Sequence, residues 1–147
     1  MKNTVILLFA IVLLASCSSK TNRGTHELNI KCSSTDSLFI KSVEITDEYT
    51  KINFNSISAG CKAYPPGHEK AMYIKDVAKN KIYKLTNVEG IAIGPDFGKA
   101  SNFTLTFEPL PKDLFVFDIY EGTVDPQYAW TFKNVTIPDN GKNNNKP

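Results

Sequence analysis

Asn102-Phe103-Thr104-Leu105-Thr106-Phe107 decides the fold class. Phe103, Leu105 and Phe107 alternate with Asn102, Thr104 and Thr106, so an extended chain places the apolar set on one face and the polar set on the other. Glu108-Pro109-Leu110-Pro111 ends this strand, because proline cannot donate to a ladder. Working outward, Leu114–Tyr120 sets Phe115, Phe117 and Ile119 on one face, and Trp130–Ile137 supplies a further strand. On the N-terminal side, Phe39, Val43 and Ile45 precede Asp47-Glu48, and Ile52 and Phe54 follow it, which is hairpin patterning. Two registers compete: Ile45 opposite Ile52 with Val43 opposite Phe54, or a two-residue turn with Val43 opposite Ile52. The first matches two apolar pairs on one face and is the expected one. Ala71–Lys75, Ile82–Thr86 and Glu89–Ile93 read as short strands broken at 76–81 and at Gly94-Pro95, with a helical turn over Lys75–Lys81 as the alternative. Seven or eight short strands without an amphipathic helix predict an all-β fold, a single antiparallel β-sandwich, with a small barrel as the alternative.

The 147 residues, 41% hydrophobic and 22% charged, are enough for one globular domain and exclude a multidomain enzyme. With 17 basic against 15 acidic side chains, the chain is too near neutrality for a nucleic-acid binder or a polybasic membrane binder. Lys2 followed by the apolar run Val5–Ala15 has the form of a secretory signal. Eleven apolar residues are too few for a membrane span, which takes about 20. Leu14-Ala15-Ser16-Cys17 resembles the bacterial lipobox, whose cysteine is acylated and becomes the new N-terminus; the resemblance implies lipidation at Cys17 and a membrane anchor. Several acyl chains hold a protein stably where a single one does not. The expected organisation is a signal peptide over 1–16, a flexible polar tether over 17–36, a β-sandwich over 37–137 and a disordered tail over 138–147.

Phe103–Pro111, Phe117–Gly122 and Trp130–Ile137 resemble a recurring immunoglobulin-like module of secreted and lipid-anchored proteins from Bacteroides-type bacteria. The likeness runs from about Ile40 to Ile137. It implies an immunoglobulin-like fold and a place in the cell envelope, and it carries no site residues. Some such modules precede a thioredoxin-like domain; this chain has no Cys-x-x-Cys, so that redox activity does not transfer.

Once Cys17 is acylated, Cys32 and Cys61 form an even pair in an oxidising compartment, and a disulfide between them is expected. Closing that loop of about 29 residues would constrain the unfolded chain by roughly 3–4 kcal/mol. No catalytic residue is assigned. His68, after Pro65-Pro66-Gly67, lies in a loop, and His26 falls in the tether, so no metal-ligand spacing arises and no cofactor is implied. Glu108, Asp113, Asp118 and Glu121 sit at strand ends, where solvated carboxylates are usual. Trp130 and Phe132 are expected to pack in the core against Phe103, Phe107 and Phe117, whereas Tyr64 and Tyr128, in proline-containing loops, are the candidate ligand contacts at one rim of the sandwich. Asp36-Ser37-Leu38 resembles the O-glycosylation signal of Bacteroides-type envelopes.

The expected function is a non-enzymatic, lipid-anchored envelope module that binds a protein or glycan partner. The alternative is an accessory or inhibitor domain acting on an envelope enzyme, such as a thioredoxin-like oxidoreductase or a cell-wall hydrolase. Surface-bound lipoproteins of this type carry acidic residues after the lipidated cysteine, whereas Ser18-Ser19-Lys20-Thr21-Asn22-Arg23 is positive. That sign places the domain on the outer membrane facing the periplasm, standing off by a few tens of Å at most.

Overall fold

Buried and exposed positions alternate along the chain, and the elements that result are all strands. The computed structural model describes residues 20–57, 61–94, 98, 101–122 and 129–139. Among them run β1 (Gly24–Lys31), β2 (Leu38–Ile45), β3 (Thr50–Ser56), β4 (Lys62–Ala63), β5 (Met72–Asp76), β6 (Lys81–Glu89), β7 (Ala92–Ile93), β8 (Asn102–Phe107), β9 (Val116–Glu121) and β10 (Thr131–Thr136). Eight of these form one antiparallel sheet in the order β1-β2-β3-β8-β6-β5-β9-β10, and β4 and β7 pair in parallel beside it.

The sheet turns over on β6. Lys81–Lys84 pair with β5, and Leu85–Glu89 pair with β8 across a bulge between Leu85 and Asn87, so one strand serves both halves. Ile40, Val43, Ile52, Phe54, Leu105 and Phe107 from one half are buried together with Ile74, Phe117, Ile119, Phe132 and Val135 from the other. Phe54 stacks on Phe103 at 5.0 Å and meets Phe132 at 5.7 Å, while Trp130 stacks on Phe103 at 5.8 Å, so Phe132 is a core residue as the alternation implies and Trp130 packs half-buried against the core. The two edges of the sheet approach where the Ser33 N–H donates to the Thr131 carbonyl at 2.7 Å. The result is an all-β, antiparallel sheet curled nearly into a barrel.

The β2–β3 hairpin takes the two-residue turn, with Val43 opposite Ile52 and Ile45 opposite Thr50, not the register that pairs Ile45 with Ile52. Thr46 drives this. Its N–H donates to the Tyr49 carbonyl at 2.9 Å, and its hydroxyl accepts from the Glu48 and Tyr49 N–H groups, closing the turn around Asp47-Glu48. Ile40 still meets Phe54, because an extra residue, Lys41, bulges between Ile40 and Ser42 and restores the inward face. Thr50 is buried opposite Ile45 without penalty, since its hydroxyl accepts the Leu110 N–H at 3.2 Å.

The polar segment assigned to a tether over 17–36 is folded from Asn22 onward. Asn22 is fully buried; its side-chain amide donates to the Pro111 and Leu114 carbonyls at 2.7 and 2.6 Å, and its N–H donates to the Lys112 carbonyl. Arg23 reaches the Leu110 carbonyl at 2.9 Å and Asp47 at 3.0 Å, and the buried His26 ring donates to the Asn22 carbonyl. Pro109 and Pro111 deprive the β8–β9 connection of ladder partners, and these polar side chains satisfy its carbonyls instead. Over 75–81 the chain runs as strand, turn and strand, with Asn80 at φ 52, rather than as a helical turn.

Strand directions divide the molecule into two ends. The turn pole carries Asn22, the β2–β3 turn, the β5–β6 turn and the β8–β9 connection. The loop pole carries the β1–β2 turn, the segments on either side of β4 and β7, and the approach of β9 to β10.

Candidate functional site

Across the outer face of the β1-β2-β3-β8-β6 half, five residues fall into one transverse row: Glu27, Ser42, Asn53, Thr104 and Glu89. The period of two puts each on the face opposite the core. Asn53 donates to the Ser42 hydroxyl at 2.9 Å and accepts from the Thr104 hydroxyl at 2.7 Å, so the short middle residues are fixed by one another. Asn55 donates to Asn102 at 3.1 Å in the next row, and Asn87 donates to Glu89 at 2.7 Å. The short side chains at the centre and the longer Glu27, Lys41 and Glu89 around them shape a groove of about 470 Å³, also lined by Gly90 and Asn102. Gly90 adopts φ +78, and a Cβ there would lie 3.1 Å from the Asn102 carbonyl oxygen, so the turn beside the groove suits glycine. Chemically the groove offers hydroxyl, amide, carboxylate and ammonium groups in a prearranged plane, the complement of a hydroxyl-rich ligand.

Tyr64, a predicted contact, lies in the loop pole. It is half-buried, its ring stacks on His68 at 4.8 Å, and the Lys62 and Lys70 ammonium groups stand 5.6 and 5.9 Å from it. Its ring is thus engaged by its own loop, where His68 Nδ1 accepts the Lys70 N–H. Beside His68 a smaller pocket of about 220 Å³ is lined by Met72, Tyr73, Ile82 and Leu85. Tyr128, the other predicted contact, and Cys17 lie outside the described residues. Gly122 packs against the backbone of Glu69 and Lys70, which brings the end of β9 to the loop of Tyr64.

Cys32 and Cys61 are both buried, and they are not joined, contrary to the expected disulfide. The Cys32 thiol, on the β1–β2 turn, donates to the Thr131 carbonyl at 3.3 Å, whereas Cys61 pairs through its backbone with Gly98 beside the small sheet. An even count says nothing about where two strands aim their side chains. Ser37, in the glycosylation-like triplet, shares a hydrogen bond with Thr35, and Leu38 is buried.

The carboxylates at strand ends have structural partners. Asp118 accepts the Tyr120 hydroxyl at 2.7 Å and the Asn134 N–H at 2.8 Å; that bond pushes the Tyr120 phenol up to about 12. Glu121 accepts the Trp130 N–H at 3.0 Å, and burial pushes its carboxyl up, opposed by that bond and by Lys62 and Lys70. Glu108 accepts the Lys84 N–H, and Asp113 faces Lys79 at 3.7 Å. Among the described residues no group of three or more His, Cys, Asp or Glu could hold a metal ion, and no helix is long and apolar enough to cross a membrane.

No protein-family model, no curated protein and no solved structure matches this chain. The groove is therefore read from its own chemistry. Sequence reasoning missed it because the row joins five strands whose registers depend on three bulges. The signal available in the sequence is the polar alternate set of β8, in which Asn102 and Thr104 line the groove.

Proposed function

We propose that this is a non-enzymatic, lipid-anchored envelope protein whose immunoglobulin-like domain holds a glycan in the outer groove. The observation that carries the glycan reading is the hydrogen-bonded row Ser42-Asn53-Thr104 flanked by Glu27 and Glu89. Hydroxyl-rich ligands bind through many positioned donors and acceptors, and here they are fixed before a ligand arrives. The immunoglobulin-like reading is supported by strand order: setting β1 aside, β2-β3-β8-β6 and β5-β9-β10 follow the ABED and CFG successions of that sandwich. The lipobox-like Leu14–Cys17 supports the anchor, and the positive stretch from Lys20 to Arg23 supports a periplasm-facing position on the outer membrane.

Titration of the isotope-labelled protein with neutral oligosaccharides tests the glycan reading. Amide shifts concentrated at Ser42, Asn53, Asn102 and Thr104, and abolished by Asn53→Ala, are expected. A broad panel that leaves those amides unmoved rejects it.

A second reading, an accessory or inhibitor domain for an envelope enzyme, is favoured by the loop pole, where Ile57 and Ile93 are 72% and 52% exposed. Isolated exposed apolar residues are common, but two at one pole, one of them paired with Ala63 beside Tyr64, fit a protein contact better than a glycan. Crosslinking from Ile57 in envelope preparations separates the two: a single enzyme captured there, with a silent groove, favours the accessory reading.

A further inference from the structure

Folding of the polar N-terminal segment shortens whatever joins the domain to a lipid. Asn22 is fully buried and is bonded to the carbonyls of Pro111, Lys112 and Leu114, so the chain is fixed to the turn pole from that residue onward. Cys17 and Asn22 are five residues apart, and a fully extended chain spans at most about 18 Å over that length. A 20-residue tether would reach farther and leave the domain free to tumble.

We infer that the acylated N-terminus holds the turn pole against the lipid headgroups and points the loop pole away from the membrane, an inference that rests on lipidation at Cys17. The eight residues of β2, at about 3.4 Å each, separate the two poles by about 27 Å. A leash of at most about 18 Å is shorter than that separation, so the domain cannot turn its loop pole to the surface. Tyr64, His68, Ile57 and Ile93 therefore face outward, and the groove, whose Glu27 lies three residues past Gly24, opens sideways on the flank.

Charge does not set this orientation. At the turn pole Asp47 is paired with Arg23 at 3.0 Å and with Lys112 at 3.6 Å, and Asp113 is paired with Lys79 at 3.7 Å. These three cations against two carboxylates leave an excess of one positive charge among them, too little for a strong field toward an anionic leaflet. The length of the leash sets the orientation, and raising the salt concentration should leave it unchanged.

Paramagnetic relaxation in nanodiscs tests this, using the full acylated chain and a gadolinium chelate on the lipid headgroups. Relaxation by a layer of headgroup chelates falls with about the fourth power of height above it, so amides of Thr46–Tyr49 and Lys112–Asp113 should relax tens of times faster than those of Ser33–Ser37 and Gly67–Lys70. Twelve Gly/Ser residues inserted after Ser19 should erase the difference, and added salt should not. Equal relaxation of both poles in the wild-type chain, or faster relaxation at the loop pole, overturns the inference while leaving the anchor intact. A chain recovered from cells with no acyl group by mass spectrometry overturns the anchor and the inference together.

Discussion

Replacing Asn22 with alanine separates a folded strap from a tether more sharply than any other single change. The side-chain amide donates to Pro111 and Leu114 carbonyls, and its oxygen accepts from Arg23 at 3.2 Å. After the substitution the Pro111 carbonyl keeps a second partner, the Leu114 N–H at 3.2 Å, so it loses only a net hydrogen bond, about 0.5–1.5 kcal/mol. The Leu114 carbonyl loses its donor in a buried position, which costs about 1–3 kcal/mol. The sum is about 1.5–4.5 kcal/mol, a large share of the stability of a domain this size. It corresponds to a fall in melting temperature of roughly 10 °C. Urea unfolding of the variant, followed by tryptophan fluorescence through the single Trp130, should show a lower midpoint at unchanged slope. A midpoint shift equivalent to less than about 0.5 kcal/mol, the range of an ordinary surface change, would refute the reasoning and return 17–36 to the role of a tether.

Gly122→Ala should destabilise by about 3 kcal/mol, since the new Cβ would fall 2.6 Å from the Lys70 Cα and against the Glu69 carbonyl, neither of which can yield as a flexible side chain would; thermal melting measures it. The Tyr120 phenol titrates near 12 when folded and at 10.0 ordinarily. The raised value means that its contribution to stability is whole below pH 10 and disappears as pH rises through about 12, so Tyr120→Phe should flatten part of the alkaline loss of stability seen by denaturant unfolding. Deleting Lys41 should leave the fold in place, within about 1–2 kcal/mol of wild type, because β2 then pairs with β3 without a bulge and keeps Ile40, Val43 and Ile45 inward. The same deletion should abolish ligand-induced shifts in the groove, read by the same oligosaccharide titration.

The strands whose inward residues alternate without interruption were legible from sequence: Phe103, Leu105 and Phe107 in β8 are all buried, as are Phe117 and Ile119 in β9. The hairpin at Asp47-Glu48 was legible as a hairpin but not in register. Apolar pairing alone cannot see that Lys41 is an extra residue, nor that Thr50 fills a core position by bonding to Leu110. β1 was not legible because an edge strand can be held by its backbone and by polar anchors. Asn22, Arg23 and His26 bond to carbonyls and a carboxylate, and the inward period of β1 has only two apolar members, Leu28 and Ile30, with His26 at the third position, too short a pattern to stand out in a polar segment. The cysteine pairing failed for a related reason, since side-chain direction at the β1–β2 turn follows from the pairing of β1.

The same bulges that hid the register also make the groove. One interrupts β1–β2 between Glu27 and Ile30, one β2–β3 between Ile40 and Ser42, and one β6–β8 between Leu85 and Asn87. The first two border the row from Glu27 to Glu89, at Glu27 and at Ser42, and the third lies beyond the neighbouring Asn87–Thr106 pair. A bulge increases local twist and re-aims the neighbouring side chains, so three of them in and near one row bend that face. A regular sheet with the same residues would present Ser42, Asn53 and Thr104 on a flat, solvated surface. The curl that brings β1 toward β10 and the recess that exposes a polar row thus have one origin. The outer face, which composition marks as ordinary solvated surface, thereby gains the recess and the fixed polar row on which the glycan proposal rests.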